Sequence, residues 1–332
     1  MPNCHRSTQL LALAAVVAAA VAACGGSSAG STPTPTPKPT PTAPPPLAAP
    51  WIVQVENQAD ARPQAGLSTA DVVYEYETEG GISRFSALFF QTPTAMVGPI
   101  RSARLVTIKL VQAYKGTLLY SGGSTYVVQQ LGSSGVRQYD ETSAEGALFR
   151  VNSRAAPHNL YTDGSHLTPL AQKVGAQTVD YHLWARTPQT TLPKGGTPMP
   201  KFSVPVSDSE NPVYTYDTAT GGYQRTEPDT GVLNDNDTQA PWEAKTIVVL
   251  PVSVTIAPEV EDVSGAHGLD FALVSGGPGQ IAIGGQVFPI NFGQSPTGPP
   301  QLTLSNGTAA PLAPGQVLIE LVATGKTIQP AA

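Results

Sequence analysis

The sequence predicts an α+β protein: a mixed α/β N-terminal half followed by a mainly-β C-terminal half of the small-sandwich or barrel type. Three observations predict it. Strand and helix patterns alternate between residues 51 and 200, as in a mixed layer. Beyond residue 201 short strand patterns dominate, divided by Gly, Pro and Asn turns, which suits a small all-β unit. No segment recurs at a fixed period, which argues against a solenoid or a propeller.

The chain begins with His5 and Arg6, then an uncharged run rich in Ala, Val and Leu from Leu10 to Ala23, then Cys24. Charge, apolar core and small residues before a cut make a secretory signal over residues 1–23. The apolar run is shorter than the ~20 residues that span a bilayer. Val21-Ala22-Ala23-Cys24 resembles a bacterial lipobox, and that resemblance implies diacylation of Cys24 and a lipid anchor. Residues 24–50 are a linker in which Thr and Pro alternate, a composition that extends as a polyproline II rod. Cys4 departs with the signal, so no disulfide and no thiolate metal site is expected in the mature chain.

Strand patterns follow at Trp51 to Glu56, Asp71 to Glu77 and Arg84 to Gln91. The period of two puts Val72, Tyr74 and Tyr76 on one face and Val73, Glu75 and Glu77 on the other. Leu105, Ile108 and Val111 form one stripe, predicting a helix over Ser102 to Tyr114 with Ser102 as its cap. A strand from Thr117 to Tyr120, helices at Tyr126 to Leu131 and Thr168 to Val174, and a linker from Lys194 to Pro212 complete residues 51–200 and the join to 201–332. Later strands are expected at Val213 to Tyr216, Tyr223 to Arg225, Thr246 to Ile256, Asp270 to Ser275, Gln280 to Ile283, Gln286 to Phe292, Gln301 to Ser305 and Val317 to Val322. Gly276-Gly277-Pro278-Gly279 and Gly284-Gly285 read as turns.

Charge is uneven. Residues 51–200 hold 12 Lys+Arg against 11 Asp+Glu, a balance of +1; residues 201–332 hold 4 against 13, a balance of −9. Neither half has the basic face of a nucleic-acid binder, so no nucleic-acid partner is expected. There is no G-x-S-x-G elbow, no H-E-x-x-H and no P-loop, and no cofactor or metal is implied. The acidic stretch Asp229 to Asp237 lacks the register of a calcium loop and reads as a solvated turn.

Three segments can carry a ligand site. In Gly98 to Arg104 (GPIRSAR), Arg101 and Arg104 are expected to share one side of a helix start, where free N–H groups already favour anions; pairing with Glu75, Glu77 or Glu79 as scaffold is the competing use of the same guanidiniums. Gly122-Gly123-Ser124-Thr125 leads from a strand to a helix, where open α/β sheets place ligands, but also serves as a plain turn. In Arg154 to Thr162 (RAAPHNLYT), His158 can act as acid, base or donor, or be a structural histidine. The candidate ligand residues are Arg84, Arg101, Arg104, Gly122, Gly123, Ser124, Arg154, His158 and Asn159, with Glu75 and Glu79 as acidic partners; no residue is assigned a catalytic role.

These motifs carry a family resemblance. ARPQAGLSTADVVYEYETEGGISRF (Ala61 to Phe85), GPIRSAR, YSGGS and RAAPHNLYT resemble the YerB-like lipoprotein family, a two-part domain of unknown function. YTYDTATGGYQR, AKTIVVL and PLAPGQVLIELV follow its second part. The chain departs from the family at Val232-Leu233-Asn234-Asp235, where a His-x-Asp is expected. The resemblance implies an extracytoplasmic, membrane-anchored, two-domain protein and supplies no reaction.

The expectation for function is therefore a non-catalytic lipoprotein, tethered to the bilayer through Cys24, whose N-terminal half binds an anionic cell-wall component or a membrane-protein partner. The alternatives are a peptidoglycan hydrolase or transglycosylase using Glu75 or Glu79 with His158 nearby, and an assembly factor for an envelope complex.

Overall fold

The computed structural model describes residues 46–331 apart from 263, 274, 275, 294 and 296. The signal, Cys24, the Thr-Pro linker before residue 46, and the end of the strand expected at Asp270 to Ser275 lie outside the described residues. The principal elements of the first half are β1 (Trp51–Glu56), β2 (Val72–Glu77), β3 (Ser83–Phe89), α1 (Leu105–Tyr114), β4 (Thr117–Leu119), α2 (Thr125–Ser133), β5 (Arg137–Tyr139) and α3 (Gly164–Val174). The second half supplies β6 (Lys201–Ser203), β7 (Val213–Asp217), β8 (Gly222–Glu227), β9 (Thr246–Val252), β10 (Val254–Val260), β11 (His267–Phe271), β12 (Gly276–Ile283), β13 (Gln286–Gly293), β14 (Gln301–Leu304) and β15 (Val317–Ala323). The class is α+β and mainly β, as the pattern predicted.

One 11-stranded sheet draws on both halves. Its order runs from Thr197–Pro198 through β13, β12, β9, β15, β2, β3, β1 and β4 to β5, with β14 alongside β13. β15 is central: it lies parallel to β9 on one side and to β2 on the other. Its run VLIELV is buried throughout, as expected of a parallel strand covered on both faces. A second sheet of six strands holds Gly231–Val232, β8, β7, β6 and Gln329–Pro330, with Glu243–Ala244 on β8.

The alternation in DVVYEYE sorts the core. Val72, Tyr74 and Tyr76 pack with Val106, Leu110 and Val111 of α1. Val73 and Phe85 face Phe202, Tyr214, Tyr223 and Trp242 of the second-sheet layer. The Phe85 and Trp242 rings meet edge to face with centroids 5.3 Å apart, a favoured aromatic geometry.

Several local expectations change. α1 starts at Leu105, not Ser102; Arg104 is the cap residue, and its backbone N–H donates to Thr107 Oγ1 at 3.0 Å. α3 starts at Gly164, capped by the Asp163 carboxylate accepting from His166 N at 2.9 Å. Thr246 to Ile256 is two strands: the Ser253 carbonyl accepts from Ala272 N, and beyond it β10 pairs only with β11 as a hairpin. Gly276 to Gly279 is not a turn but the start of β12, paired with β13. The glycines serve close approach there: a Cβ on Gly276 would stand 2.8 Å from the Phe292 carbonyl oxygen, and one on Gly279 2.8 Å from that of Val249. The turn is Gly284-Gly285, both with positive φ, the backbone a two-residue hairpin loop needs. Lys194 to Pro212, the expected linker, contributes Thr197–Pro198 to one sheet and β6 to the other.

Candidate functional site

At the end of β1, Glu56 is 1 % exposed and holds two neighbours. Arg101 donates from Nε to its Oε1 at 3.0 Å, and His158 Nδ1 lies 2.8 Å from its Oε2. The two residues come together because their segments pair with the same part of the sheet. Glu56 N donates to the Pro99 carbonyl, Arg101 N to that of Gln54, and Ile100 N to that of Leu160. Arg101 is thus extended, outside the helix. Its terminal nitrogens have no hydrogen-bond partner among the described residues, and its side chain is 25 % exposed. Glu56 accepting from Nδ1–H would leave His158 Nε2 open to a ligand. Arg154 donates to the Ala61 and Pro63 carbonyls and pairs with no carboxylate among the described residues. Arg150 donates to Asn159 Oδ1 at 2.6 Å and pairs with Glu141, which also accepts from Ser121 Oγ. Arg101 and His158 thus share Glu56, while Arg150 is held by Glu141 and Arg154 by backbone carbonyls.

Arg104 goes elsewhere. It grips Glu79 with Nε and Nη2, so the two arginines of GPIRSAR do not share a ligand-facing side. Burial opposes charge on both partners, yet the Arg104 fork holds the Glu79 carboxyl below the usual carboxylate range. Arg84 donates to the Ser102 carbonyl at 2.9 Å; burial and neighbouring Arg104 lower its pKa to about 10. Glu261 Oε2 reaches within 3.8 Å of Arg104 Nε. Ser124 caps α2, accepting from Val127 N at 3.2 Å. The Gly122 carbonyl accepts from Ala103 N at 3.0 Å, and Gly122 has a φ of 68°, a backbone reason for glycine. Arg84, Arg104, Gly122 and Ser124 thus surround a region that carboxylates of the chain itself occupy.

Glu75 sits in the deepest charge network. Arg225 of β8 donates to both of its oxygens, one contact at 2.8 Å, and to Glu227 Oε1 at 2.6 Å. In the parallel register Glu75 lies directly beside Glu320 of β15, whose carboxyl accepts from the Tyr214 hydroxyl. Two adjacent buried carboxyls do not both ionise. Burial opposes charge on Glu75, but Arg225 pulls it below the ordinary range, whereas burial and the Glu75 charge raise Glu320 well above it. Glu75 and Glu79 are both buried and each is committed to a guanidinium.

At the rim of this network Arg62 donates to both Glu210 oxygens, at 2.9 and 3.0 Å. Burial, reinforced by Glu75 and Glu227, outweighs Arg62 and lifts Glu210 to about 7. A raised folded pKa adds stability below the unfolded value and loses it as pH rises through the folded one. Wild type is therefore expected to lose stability relative to Glu210→Gln between the usual carboxylate range and pH ~7, read from paired urea titrations at each pH. An unchanged difference across that window would contradict the raised pKa.

Sequence reasoning missed Glu56, Arg62, Glu210, Arg225 and Glu320. Glu320 had a signal, a lone charge inside an apolar run; Glu56 had none, because its partners lie far along the chain. The acidic stretch is also corrected at Asp235, which is 3 % exposed. Its Oδ2 accepts from Gly66 N and Ser68 Oγ at 2.8 and 2.9 Å, so it clasps the first half instead of lying in solvent. No cluster of three metal-ligating side chains occurs among the described residues.

Comparison with known proteins places the fold. The N-terminal domain model described as protein of unknown function (DUF3048) matches residues 36–177, and the C-terminal domain model of that description matches residues 202–319. YerB of Bacillus subtilis (strain 168), which is named as a lipoprotein, is 30% identical over 283 residues, covering 82% of this chain and 81% of its own. The crystal structure of YerB protein from Bacillus subtilis superimposes with a TM-score of 0.68 at 28% identity, over 83% of this chain and 91% of that one. The shared two-part sequence and shared fold make this chain a member of the YerB-like family, whose domains have no known function.

Proposed function

We propose that the protein is an extracytoplasmic lipoprotein, held to the membrane by acyl chains on Cys24, whose N-terminal half binds an anionic cell-envelope component at Arg101 and His158 without catalysing a reaction. The anchor rests on the signal layout and on the relative's name as a lipoprotein; two acyl chains hold firmly where one does not. No helix among the described residues is long and apolar enough to cross a membrane.

One observation carries the binding site. A single buried carboxylate, Glu56, fixes Arg101 by Nε alone and leaves the guanidinium's paired terminal donors without a partner among the described residues, on a side chain that is 25 % exposed. That fork matches a carboxylate or phosphate, and His158, on the same carboxylate, offers its second ring nitrogen beside it. The full chain is expected to sediment with purified cell walls, and added salt to weaken this. The double variant Arg101→Gln, His158→Gln should bind about tenfold more weakly, ~1.4 kcal/mol, while keeping a cooperative melt. Equal binding by the variant would refute the site, and release of soluble wall fragments would overturn the non-catalytic reading.

A further inference from the structure

A second concave site lies at the end of the large sheet, away from Arg101 and His158. It is a cavity of about 540 Å³ between β5, α3 and the strand pair Leu47–Ala48 and Thr178–Val179. That volume falls in the range of small-molecule pockets, roughly 300–1,000 Å³. Ala48, Trp51, Phe90, Ala171 and Val174 give it apolar walls, and Trp51 and Phe90 are core residues that hold the wall rigid. Its remaining lining is uncharged except for one group, Arg137.

Arg137 is half-buried on β5 and donates from Nη1 to Thr117 Oγ1 at 3.2 Å. Among the described residues no carboxylate pairs with it, and no Asp or Glu lines the cavity. Arg137 is thus a half-buried guanidinium in an apolar hollow, with no counter-charge among the described residues. A guanidinium in that setting attracts an anion, through a fork suited to an oxyanion, and apolar walls favour a ligand that also brings hydrocarbon.

We propose that this cavity binds a monoanionic amphiphile, a carboxylate joined to a single short apolar chain, with the carboxylate on Arg137 and the chain against Trp51 and Phe90. The neutral body of such a ligand gains from the walls, and the charge selects for Arg137 over any uncharged analogue.

The probe is decanoate, kept below its micellar concentration, with decanol as the uncharged comparator. Binding to the full chain is measured by equilibrium dialysis, and Trp fluorescence is followed in parallel. Saturable binding of decanoate is expected, at least tenfold tighter than decanol. Arg137→Gln should erase that preference while leaving decanol binding unchanged. Gln172→Trp, at an exposed position of the lining, should block both probes by filling the cavity and leave Arg137 in place. Equal affinity for decanoate and decanol, unaltered decanoate binding in Arg137→Gln, or no saturable binding would each overturn the proposal.

Discussion

Arg225→Met is expected to destabilise the protein by about 3–5 kcal/mol, the usual cost of leaving buried charge without its partner. Arg225 is 1 % exposed and holds Glu75 and Glu227 at once. Its guanidinium also lies over the rings of Phe85, Tyr214 and Trp242, at 5.2, 5.6 and 5.7 Å. Methionine keeps much of the volume and the ring contacts, so the loss is mainly electrostatic. The pH dependence makes that separable. Glu75 has a folded pKa held below its unfolded one by Arg225, so its contribution is present above the unfolded value and disappears as pH falls. The variant lacks that contribution at every pH. The gap between wild type and Arg225→Met should therefore shrink on acidification below the ordinary carboxylate range. Guanidinium chloride titrations at neutral and acid pH measure it. A loss below about 1 kcal/mol, the scale of an exposed ion pair, would show that the network is dispensable, and a gap that does not move with pH would show that the loss is not electrostatic.

The same network explains what the sequence could and could not disclose. The alternation of DVVYEYE is a local signal with a period of two, and it put Val72, Tyr74 and Tyr76 on one face and Val73 and Glu75 on the other; the fold packs the first face with α1. The stripe of Leu105, Ile108 and Val111 likewise found α1 within three residues. What stayed hidden depends on pairings that have no local trace. β15 inserts between β2 and β9, and its parallel pairing with β2 joins residues as distant as Val72 and Val317; no turn or spacing encodes it. Hence Glu320 beside Glu75, and Arg225 over both, could not be read in advance. The candidate site divides the same way. GPIRSAR and RAAPHNLYT were visible as polar, turn-rich motifs, but the residue that joins Arg101 to His158 is Glu56, the last residue of an ordinary-looking strand. The glycines of Gly276 to Gly279 misled for a further reason: glycine marks close backbone approach as well as turns, and only the neighbouring strand distinguishes the two.

Expressed apart, residues 46–200 and 201–332 are each expected to fail to fold cooperatively, although one family model ends at residue 177 and the other begins at residue 202. Without the second half, β2 loses the parallel partner that runs from Val317 to Leu321 and becomes an edge strand with an unpaired row of backbone donors and acceptors. The face carrying Val73 and Phe85 loses Phe202, Tyr214, Tyr223 and Trp242, and Glu75 loses its guanidinium. Without the first half, β15 and β9 keep each other but expose the apolar edge and face that β2 and α1 cover; such edges pair with other chains. Each fragment should show a broad, non-cooperative denaturant transition, and mixing should restore the sharp transition of the whole. Because Arg225 and Glu75 come from opposite fragments, reassembly should weaken as pH falls and Glu75 takes up its proton, the direction set by its lowered folded pKa. Two fragments that each unfold sharply alone would mean that the shared sheet is an interface between finished domains; pH-independent reassembly would remove the buried ion pair from the bond that joins them.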